Sequence, residues 1–293
     1  MRDFLIRKTF ALWQRIGITV LPNHFYSPVP DIASLRRAWP EDSSLIGIDM
    51  NEAGQEKLLA SFRAEYEKEY DAFPRVPTGV PHEYFVGNGS FESVDGEMLY
   101  CMIRRFKPRR IFEIGSGNST LLSGQALVRN AEGGGHMGEL AAFEPYPNPV
   151  LRAGFPGLAR LVAKKIQDVP LEAFDELEEN DILFIDSSHA LSTGSDVARE
   201  YLEIIPRLKK GVIVHVHDIF LPGEYPKAWV LAEHRFWNEQ YLLQAFLAFN
   251  ASFEVLWGGS FMHMRHPDLL SGAFASYDPS ANHPGSFWMR RTK

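Results

Sequence analysis

The sequence contains only one cysteine, Cys101, among its 293 residues. A single thiol excludes an internal disulfide framework and a zinc site built from several cysteines, which favours a reducing, cytoplasmic environment. The chain also lacks an apolar run of the ~20 residues that a transmembrane helix needs. Its first residues lack the uninterrupted apolar core of a secretory signal. We therefore expect a cytoplasmic protein without stable membrane insertion.

Positive charge is scarce as well. The chain has 30 Lys and Arg residues against 37 Asp and Glu residues, and its net charge is −7 at pH 7. Because nucleic-acid-binding domains carry basic patches, this balance argues against a nucleic-acid partner. Hydrophobic residues make up 45% of the chain, which is ample for the core of a large domain. A small-molecule partner is favoured, and homo-oligomerisation is left open.

The chain divides by pattern near residue 90. Residues 1–90 are predicted to form a helical and loop extension, with helices over 4–17 and 51–73 and a proline-rich loop over 22–31. From residue 91 onward, short apolar strands alternate with helices, which is typical of an α/β fold with a parallel sheet. The parallel strands are predicted over 110–114, 140–143, 161–166, 181–185 and 211–216. Two more candidates, within 253–266 and 285–291, would close the sheet as an antiparallel pair.

The stretch "RRIFEIGSGNSTLL", residues 109–122, predicts a strand, a tight turn and the start of a helix. Gly115 and Gly117 allow the backbone to bend sharply and to approach a ligand closely. Thr120 occupies the position of the third glycine in a dinucleotide-binding fingerprint, so a nicotinamide oxidoreductase is only a weaker alternative. Glu113 precedes the turn, where a carboxylate can receive the positive end of a zwitterionic ligand. Glu144 ends the second strand, where a carboxylate can bind a ribose diol.

This order, E-x-G-x-G-x-S followed by an acidic end of strand two, resembles the class I S-adenosylmethionine-dependent methyltransferases, including uncharacterised bacterial members. The resemblance covers about residues 90–293. It implies a Rossmann-like sheet of seven mostly parallel strands with helices on both faces, and S-adenosylmethionine as the cofactor. The cofactor-binding residues that it implies are Glu113, Gly115, Ser116, Gly117, Ser119, Glu144, Asp168 and Asp186.

Polar residues end two further apolar strands. "DILFIDSSHA", residues 181–190, places Asp186 and His189 after one strand, and "GVIVHVHDIF", residues 211–220, ends another in His217 and Asp218. In the strand order of the family, these two strands and the strand before the glycine turn are neighbours, so their carboxyl ends are expected to meet at one rim, where open α/β sheets bind ligands. His215 lies deeper in its strand and is expected to be a hydrogen-bonded core residue.

The D-x-x-H from Asp186 to His189 resembles the metal-dependent sugar O-methyltransferases of macrolide biosynthesis. The resemblance implies Asp186, His217 and Asp218 as metal ligands and His189 as the catalytic base, with His217 as the next candidate. His217 stands where those enzymes have an acidic residue. Because Mg²⁺ prefers oxygen ligands, this change weakens Mg²⁺, favours a softer divalent ion, or leaves the site without a metal.

We therefore expect transfer of a methyl group from S-adenosylmethionine to a hydroxyl of a small-molecule or saccharide acceptor. Two alternatives stay open beside this one. The chain could be a metal-free N- or O-methyltransferase in which the histidines position the acceptor, or a non-catalytic S-adenosylmethionine-binding protein.

Overall fold

The fold is known from a computed structural model that describes residues 2–293, with the backbone alone described at 2–5, 7 and 133. The first helix is present as expected from the spacing of its residues. The side chains of Phe4 and Leu5, which belong to its predicted apolar face, lie outside the described residues. Among the helices that are described, none is both long and apolar enough to cross a bilayer.

The described chain contains a seven-stranded, mostly parallel sheet, as predicted. Its strands are β1 (Arg110–Ile114), β2 (Glu139–Phe143), β3 (Leu158–Val162), β4 (Ile182–Ile185), β5 (Ile213–Val216), β6 (Phe253–Gly258) and β7 (Phe287–Arg291). The spatial order is β3-β2-β1-β4-β5-β7-β6. The first five strands are parallel, whereas β7 runs antiparallel to both β5 and β6, which confirms the predicted closing pair.

The third strand was predicted with the wrong bounds. It was expected over 161–166, but it begins at Leu158 and ends at Val162. Gly157, at φ +99°, forms the turn directly before the strand. The exposed Lys164 and Lys165 then interrupt the apolar pattern, and Ile166 belongs to a short 3-10 turn instead.

The helices of the described chain precede the strands or connect them in sequence. They are α1 (Arg2–Arg15), α2 (Ile32–Arg37), α3 (Glu52–Tyr70), α4 (Asp95–Phe106), α5 (Asn118–Ala131), α6 (Pro149–Ala153), α7 (Asp196–Arg199), α8 (Lys227–Leu231), α9 (Glu239–Leu247), α10 (Gly259–Arg265) and α11 (Pro267–Ala273). A π-helical turn, Glu200–Ile204, continues α7. The strands β1, β4 and β5 are buried almost throughout, as expected for parallel strands covered on both faces.

The chain forms two compact units. One contains the residues up to Glu41 together with Glu224–Phe236, and the other contains Asp42–Gly223 together with Trp237–Lys293. In the smaller unit, Asp31 caps α2 by accepting a hydrogen bond from the Ser34 amide. The larger unit contains the whole sheet, and α3 packs within it against α4, α11 and β6. The predicted division into a 1–90 extension and a 91–293 methyltransferase domain stays a prediction.

The register of the sheet aligns the ends of four neighbouring strands. Phe143, Ile114, Ile185 and Val216 lie in one row across β2, β1, β4 and β5. The residues that follow in each strand are therefore neighbours as well. They are, in the same order, Glu144, Gly115, Asp186 and His217.

Candidate active site

The glycine turn is packed directly against the end of β4. Gly115 has φ +80°, and its amide donates a hydrogen bond to the Phe143 carbonyl at 3.0 Å. A Cβ atom on Gly115 would lie 1.8 Å from the Asp186 carbonyl oxygen, so only glycine fits. A Cβ atom on Gly117, in contrast, would have no atom within 4 Å. The two glycines therefore serve different purposes, since the first permits a backbone contact and the second borders open space.

A cleft of about 370 Å³ lies beside this turn, at the carboxyl ends of β1, β2 and β4. Its walls include Gly115, Glu144, Tyr146, Ile166, Gln167 and Asp186. The Glu144 carboxylate is half-buried and accepts a hydrogen bond from the Tyr146 amide at 2.7 Å. Asp168, expected near an adenine ring, is exposed and is not one of the lining residues, whereas its neighbours Ile166 and Gln167 are.

The structure places Glu113 behind the glycine turn rather than among the residues that line the cleft. Its side chain is fully buried, and one carboxyl oxygen accepts hydrogen bonds from the hydroxyls of Ser119 at 2.6 Å and Thr120 at 2.9 Å. Burial raises the pKa of Glu113 to about 8, against the opposing effect of these two hydroxyls. A carboxyl that is mostly protonated at neutral pH anchors the start of α5 to β1. Ser119 takes part in this anchor, and Ser116 lies within the turn itself.

A compact cluster of Asp186, His189 and Asp218 lies at the same rim. The Nε2 atom of His189 is 3.3 Å from Asp186 Oδ1 and 3.4 Å from Asp218 Oδ2. His189 and Asp218 both have left-handed backbones, with φ values of 57° and 56°. Such conformations are uncommon for residues with a side chain and concentrate at functional sites. Two of the three residues of this cluster therefore have an uncommon backbone conformation.

Glu239, at the start of α9, completes the surroundings of His189. Its Oε2 atom lies 2.9 Å from His189 Nδ1, and its side chain is fully buried. Burial opposes the charged imidazolium, but hydrogen bonds to Asp186 and Glu239 outweigh this effect and raise the pKa of His189 well above its ordinary value. Burial likewise opposes the ionisation of Asp186, and the positive charges of His217 and His189 lower its pKa.

His217 lies next to this cluster but is not one of the three residues whose ligand atoms converge. Its Nε2 atom is 3.7 Å from Asp218 Oδ1, and its ring packs at 4.9 Å against Phe91. Despite burial, the carboxylates of Asp186 and Asp218 raise the pKa of His217. His215 shares the strand face of His217 and bonds through Nε2 to the Ser286 hydroxyl at 3.1 Å, in agreement with its predicted core position.

The cluster of Asp186, His189 and Asp218 has a suitable donor set for a divalent cation. One ligand atom from each residue lies within 4.8 Å of the other two. Two carboxylates and one imidazole suit Mn²⁺, Fe²⁺ or Zn²⁺ better than Mg²⁺. The geometry brings together Asp186 and Asp218, as the sequence predicted, but the imidazole that joins them is that of His189 rather than His217.

A short segment before α4 packs against the start of α5 and against His217. The Asn118 side chain donates hydrogen bonds to the Asn88 side chain at 3.0 Å and to the Ser90 hydroxyl at 2.9 Å. Phe91 follows directly and contacts the His217 ring. Residues 88–91 therefore connect the start of α5 with His217.

Comparison with known proteins agrees with this arrangement. The sequence profile of a methyltransferase domain matches residues 112–219, which contain the glycine turn, the cleft and the cluster. An uncharacterised protein of Archaeoglobus fulgidus is 36% identical over 189 residues, which cover 61% of this chain and 83% of the relative. The chain belongs to the class I S-adenosylmethionine-dependent methyltransferase superfamily.

Two solved methyltransferase structures are similar to this chain at low sequence identity. An S-adenosylhomocysteine-bound methyltransferase of Podospora anserina has 18% identity and a TM-score of 0.42, with 80% of this chain and 88% of that chain covered. An O-methyltransferase of Bacillus cereus in complex with S-adenosylhomocysteine has 13% identity and a TM-score of 0.36, with 98% and 100% covered.

Sequence reasoning missed two acidic residues of this methyltransferase. Glu239 was not assigned to the site, although it bonds His189 directly. Glu200 is buried in the π-helical turn and accepts a hydrogen bond from the Ser187 hydroxyl at 3.1 Å. Both lie in helices, where a glutamate usually faces solvent. The one local sign was the position of Glu239 beside Trp237, in an aromatic-rich segment.

We expect Gly115→Ala to destabilise the fold strongly, because its Cβ atom would meet the Asp186 carbonyl in a left-handed backbone. Gly117→Ala is the matched control and should leave the stability nearly unchanged, since its Cβ atom would point into open space. Urea unfolding of both variants measures the difference. Equal stabilities would show that the packing of the turn is not as tight as described.

The raised pKa of Glu113 predicts a pH-dependent stability. Its protonated form stabilises the fold; this contribution is complete below about pH 4.5 and is lost as the pH rises through about 8. In Glu113→Gln, whose amide oxygen can accept the same two hydroxyl bonds, this loss is absent. Wild-type stability should therefore fall relative to the variant by about 1.4 kcal/mol per pH unit in this window. Urea unfolding across that pH range tests this, with Glu172→Gln, a substitution of an exposed glutamate, as the control. Parallel profiles of wild type and Glu113→Gln would contradict it.

Proposed function

We propose that the protein transfers a methyl group from S-adenosylmethionine to a hydroxyl of a small-molecule or saccharide acceptor. One observation carries this proposal: Asp186 lines the cleft and also belongs to the cluster with His189 and Asp218. A cofactor bound in the cleft would thus have its methyl group near a set of ligands suited to orienting an oxygen nucleophile. Alignment of the two reactants is the main requirement of such an in-line displacement.

The cofactor is proposed to lie along the row of strand ends. Glu144 would accept hydrogen bonds from the ribose hydroxyls, and Ile166 and Gln167 would contact the adenine in place of the predicted Asp168. The open space beside Gly117 would accommodate the methionine portion. Glu113 would act indirectly by anchoring α5, since its buried carboxyl bonds Ser119 and Thr120.

The acceptor is proposed to lie beside a divalent cation held by Asp186, His189 and Asp218. When bound, the ion makes the proton of an acceptor hydroxyl more acidic. His189 would contribute Nε2 while Glu239 holds its Nδ1 proton. His217 would balance part of the negative charge of Asp218.

His189 as the general base stays a prediction from the sequence. In the ion-free cluster its two ring nitrogens both face carboxylates, and its raised pKa favours the protonated ring. A protonated imidazole has no lone pair with which to accept a proton. These contacts favour a ligand over a base.

Glu144→Ala tests the cofactor site. Loss of hydrogen bonds between a charged carboxylate and the ribose should weaken S-adenosylhomocysteine binding by about 1.5–3 kcal/mol, while the fold is retained because Glu144 is only half-buried. Titration calorimetry measures the affinity, with Glu172→Ala, an exposed residue that does not line the cleft, as the control. Unchanged affinity in Glu144→Ala would reject the ribose assignment.

Chelation and ligand substitution test the reaction. Methyl-labelled S-adenosylmethionine, offered with a panel of hydroxylated acceptors, should be consumed by the wild type. A chelator should stop this turnover, and Mn²⁺ should restore it better than Mg²⁺. Asp218→Asn and His189→Ala should each lower kcat by about 10²–10⁴-fold, with cofactor affinity retained. Full turnover after exhaustive chelation would exclude the metal, and near-wild-type kcat in His189→Ala would exclude both roles of His189.

A further inference from the structure

The segment Trp237–Glu239, here called the clasp, is hydrogen-bonded to the loop that carries His189. The amides of Asn238 and Glu239 both donate hydrogen bonds to the His189 carbonyl, at 3.0 and 3.3 Å. The Asn238 side chain accepts a hydrogen bond from the Leu191 amide at 2.6 Å and donates one to the Leu191 carbonyl at 3.3 Å. Four hydrogen bonds therefore tie the start of α9 to the backbone of this loop.

The same three residues also hold the His189 ring. The Trp237 ring lies against it, with centroids 4.5 Å apart and an interplanar angle of 48°. Glu239 Oε2 lies 2.9 Å from Nδ1, on the side of the ring away from Asp186 and Asp218. Asn238 and Glu239 thus hold the backbone of His189, Trp237 holds one face of its ring, and Glu239 also holds its Nδ1 atom.

The contacts between the clasp and His189 have an energetic cost. Glu239 is fully buried, and its Oε2 atom lies 2.9 Å from His189 Nδ1. His189 is itself 4% exposed and has a left-handed backbone. A buried carboxylate and an uncommon backbone conformation are costly, and both are used here to fix one ring.

We propose that the clasp positions His189, with Glu239 holding the proton on Nδ1 so that Nε2, directed at Asp186 and Asp218, is the nitrogen left to bind a cation. This proposal rests on the proposed function, because the oriented nitrogen serves the proposed cation. A carboxylate on the far nitrogen of a ligating histidine fixes its tautomer and raises its basicity, and its loss commonly weakens metal binding 10–100-fold. Glu239 is therefore a positioning residue that acts through His189.

The test compares Mn²⁺ binding in variants of the clasp by titration calorimetry on the full chain. Glu239→Leu should weaken binding 10–100-fold. Glu239→Gln should restore much of this loss, because the amide oxygen can still accept the Nδ1 proton. Glu97→Gln is the matched control, since Glu97 is also a fully buried glutamate but lies on α4, bonded to the Val94 amide and Ser276. It should bind Mn²⁺ as the wild type does.

A second readout does not depend on the metal. In ¹⁵N-histidine-labelled protein, the Nδ1–H signal of His189, assigned by its absence in His189→Asn, should exchange slowly with water. It should be lost in Glu239→Leu and retained in Glu239→Gln. If Glu239→Leu does not fold, Asn238→Ala replaces it, since loss of the Leu191 bonds should accelerate this exchange and weaken Mn²⁺ binding.

The possible outcomes distinguish a failure of the proposed metal site from a failure of the proposed role of the clasp. Failure of the wild type to bind Mn²⁺ or Zn²⁺ would reject the proposed metal, and the clasp would then be judged on the Nδ1–H signal alone. Wild-type Mn²⁺ affinity together with an unchanged Nδ1–H signal in Glu239→Leu would overturn the clasp. A loss of affinity as large in Glu97→Gln as in Glu239→Leu would show a general effect of removing buried charge and would also overturn it.

Discussion

The contact between Gly115 and the Asp186 carbonyl determines the geometry of the whole rim. It brings the turn after β1 against the end of β4 at a distance that no side chain would allow. The amides on either side reinforce it, because Gly115 bonds Phe143 and Asp186 bonds Ile114. Parallel strands that end in the same row then present their next residues side by side. The cleft and the cluster are consequences of this alignment.

The cluster places opposite charges close to one another. Three carboxylates lie around the His189 ring, and two of them also lower the energy of a protonated His217. Uncompensated ions of one sign would be costly at this degree of burial. Phe91 and Trp237 cover the two histidine rings, which limits their access to water and strengthens each ionic contact.

Much of the fold was predictable because its signals are local. Apolar runs bounded by polar residues predicted β1 at its observed bounds, and the closing antiparallel pair was recognised in the same way. The bounds of β3 were predicted wrongly because Leu161 and Val162 resemble the start of a strand, although the turn at Gly157 places them at its end.

The candidate site was only partly predictable. Strand-end residues such as Asp186 and Asp218 could be grouped because sheet topology brings them together. The position of Glu239 could not be inferred, because its contact with His189 spans fifty residues and depends on how α9 packs. Likewise, no sequence pattern distinguishes a Glu113 that faces a ligand from one that turns back toward Ser119.

Asp186 faces two neighbouring sites with a single side chain, and this has a thermodynamic consequence. An occupant of the cleft and a cation in the cluster would both act on the same carboxylate, so the free energy of binding either one would depend on the other. Such coupling is reciprocal by necessity: whatever factor one ligand imposes on the affinity of the second, the second imposes on the first. The shared carboxylate would thus couple occupancy of the cleft to occupancy of the cluster without a conformational change.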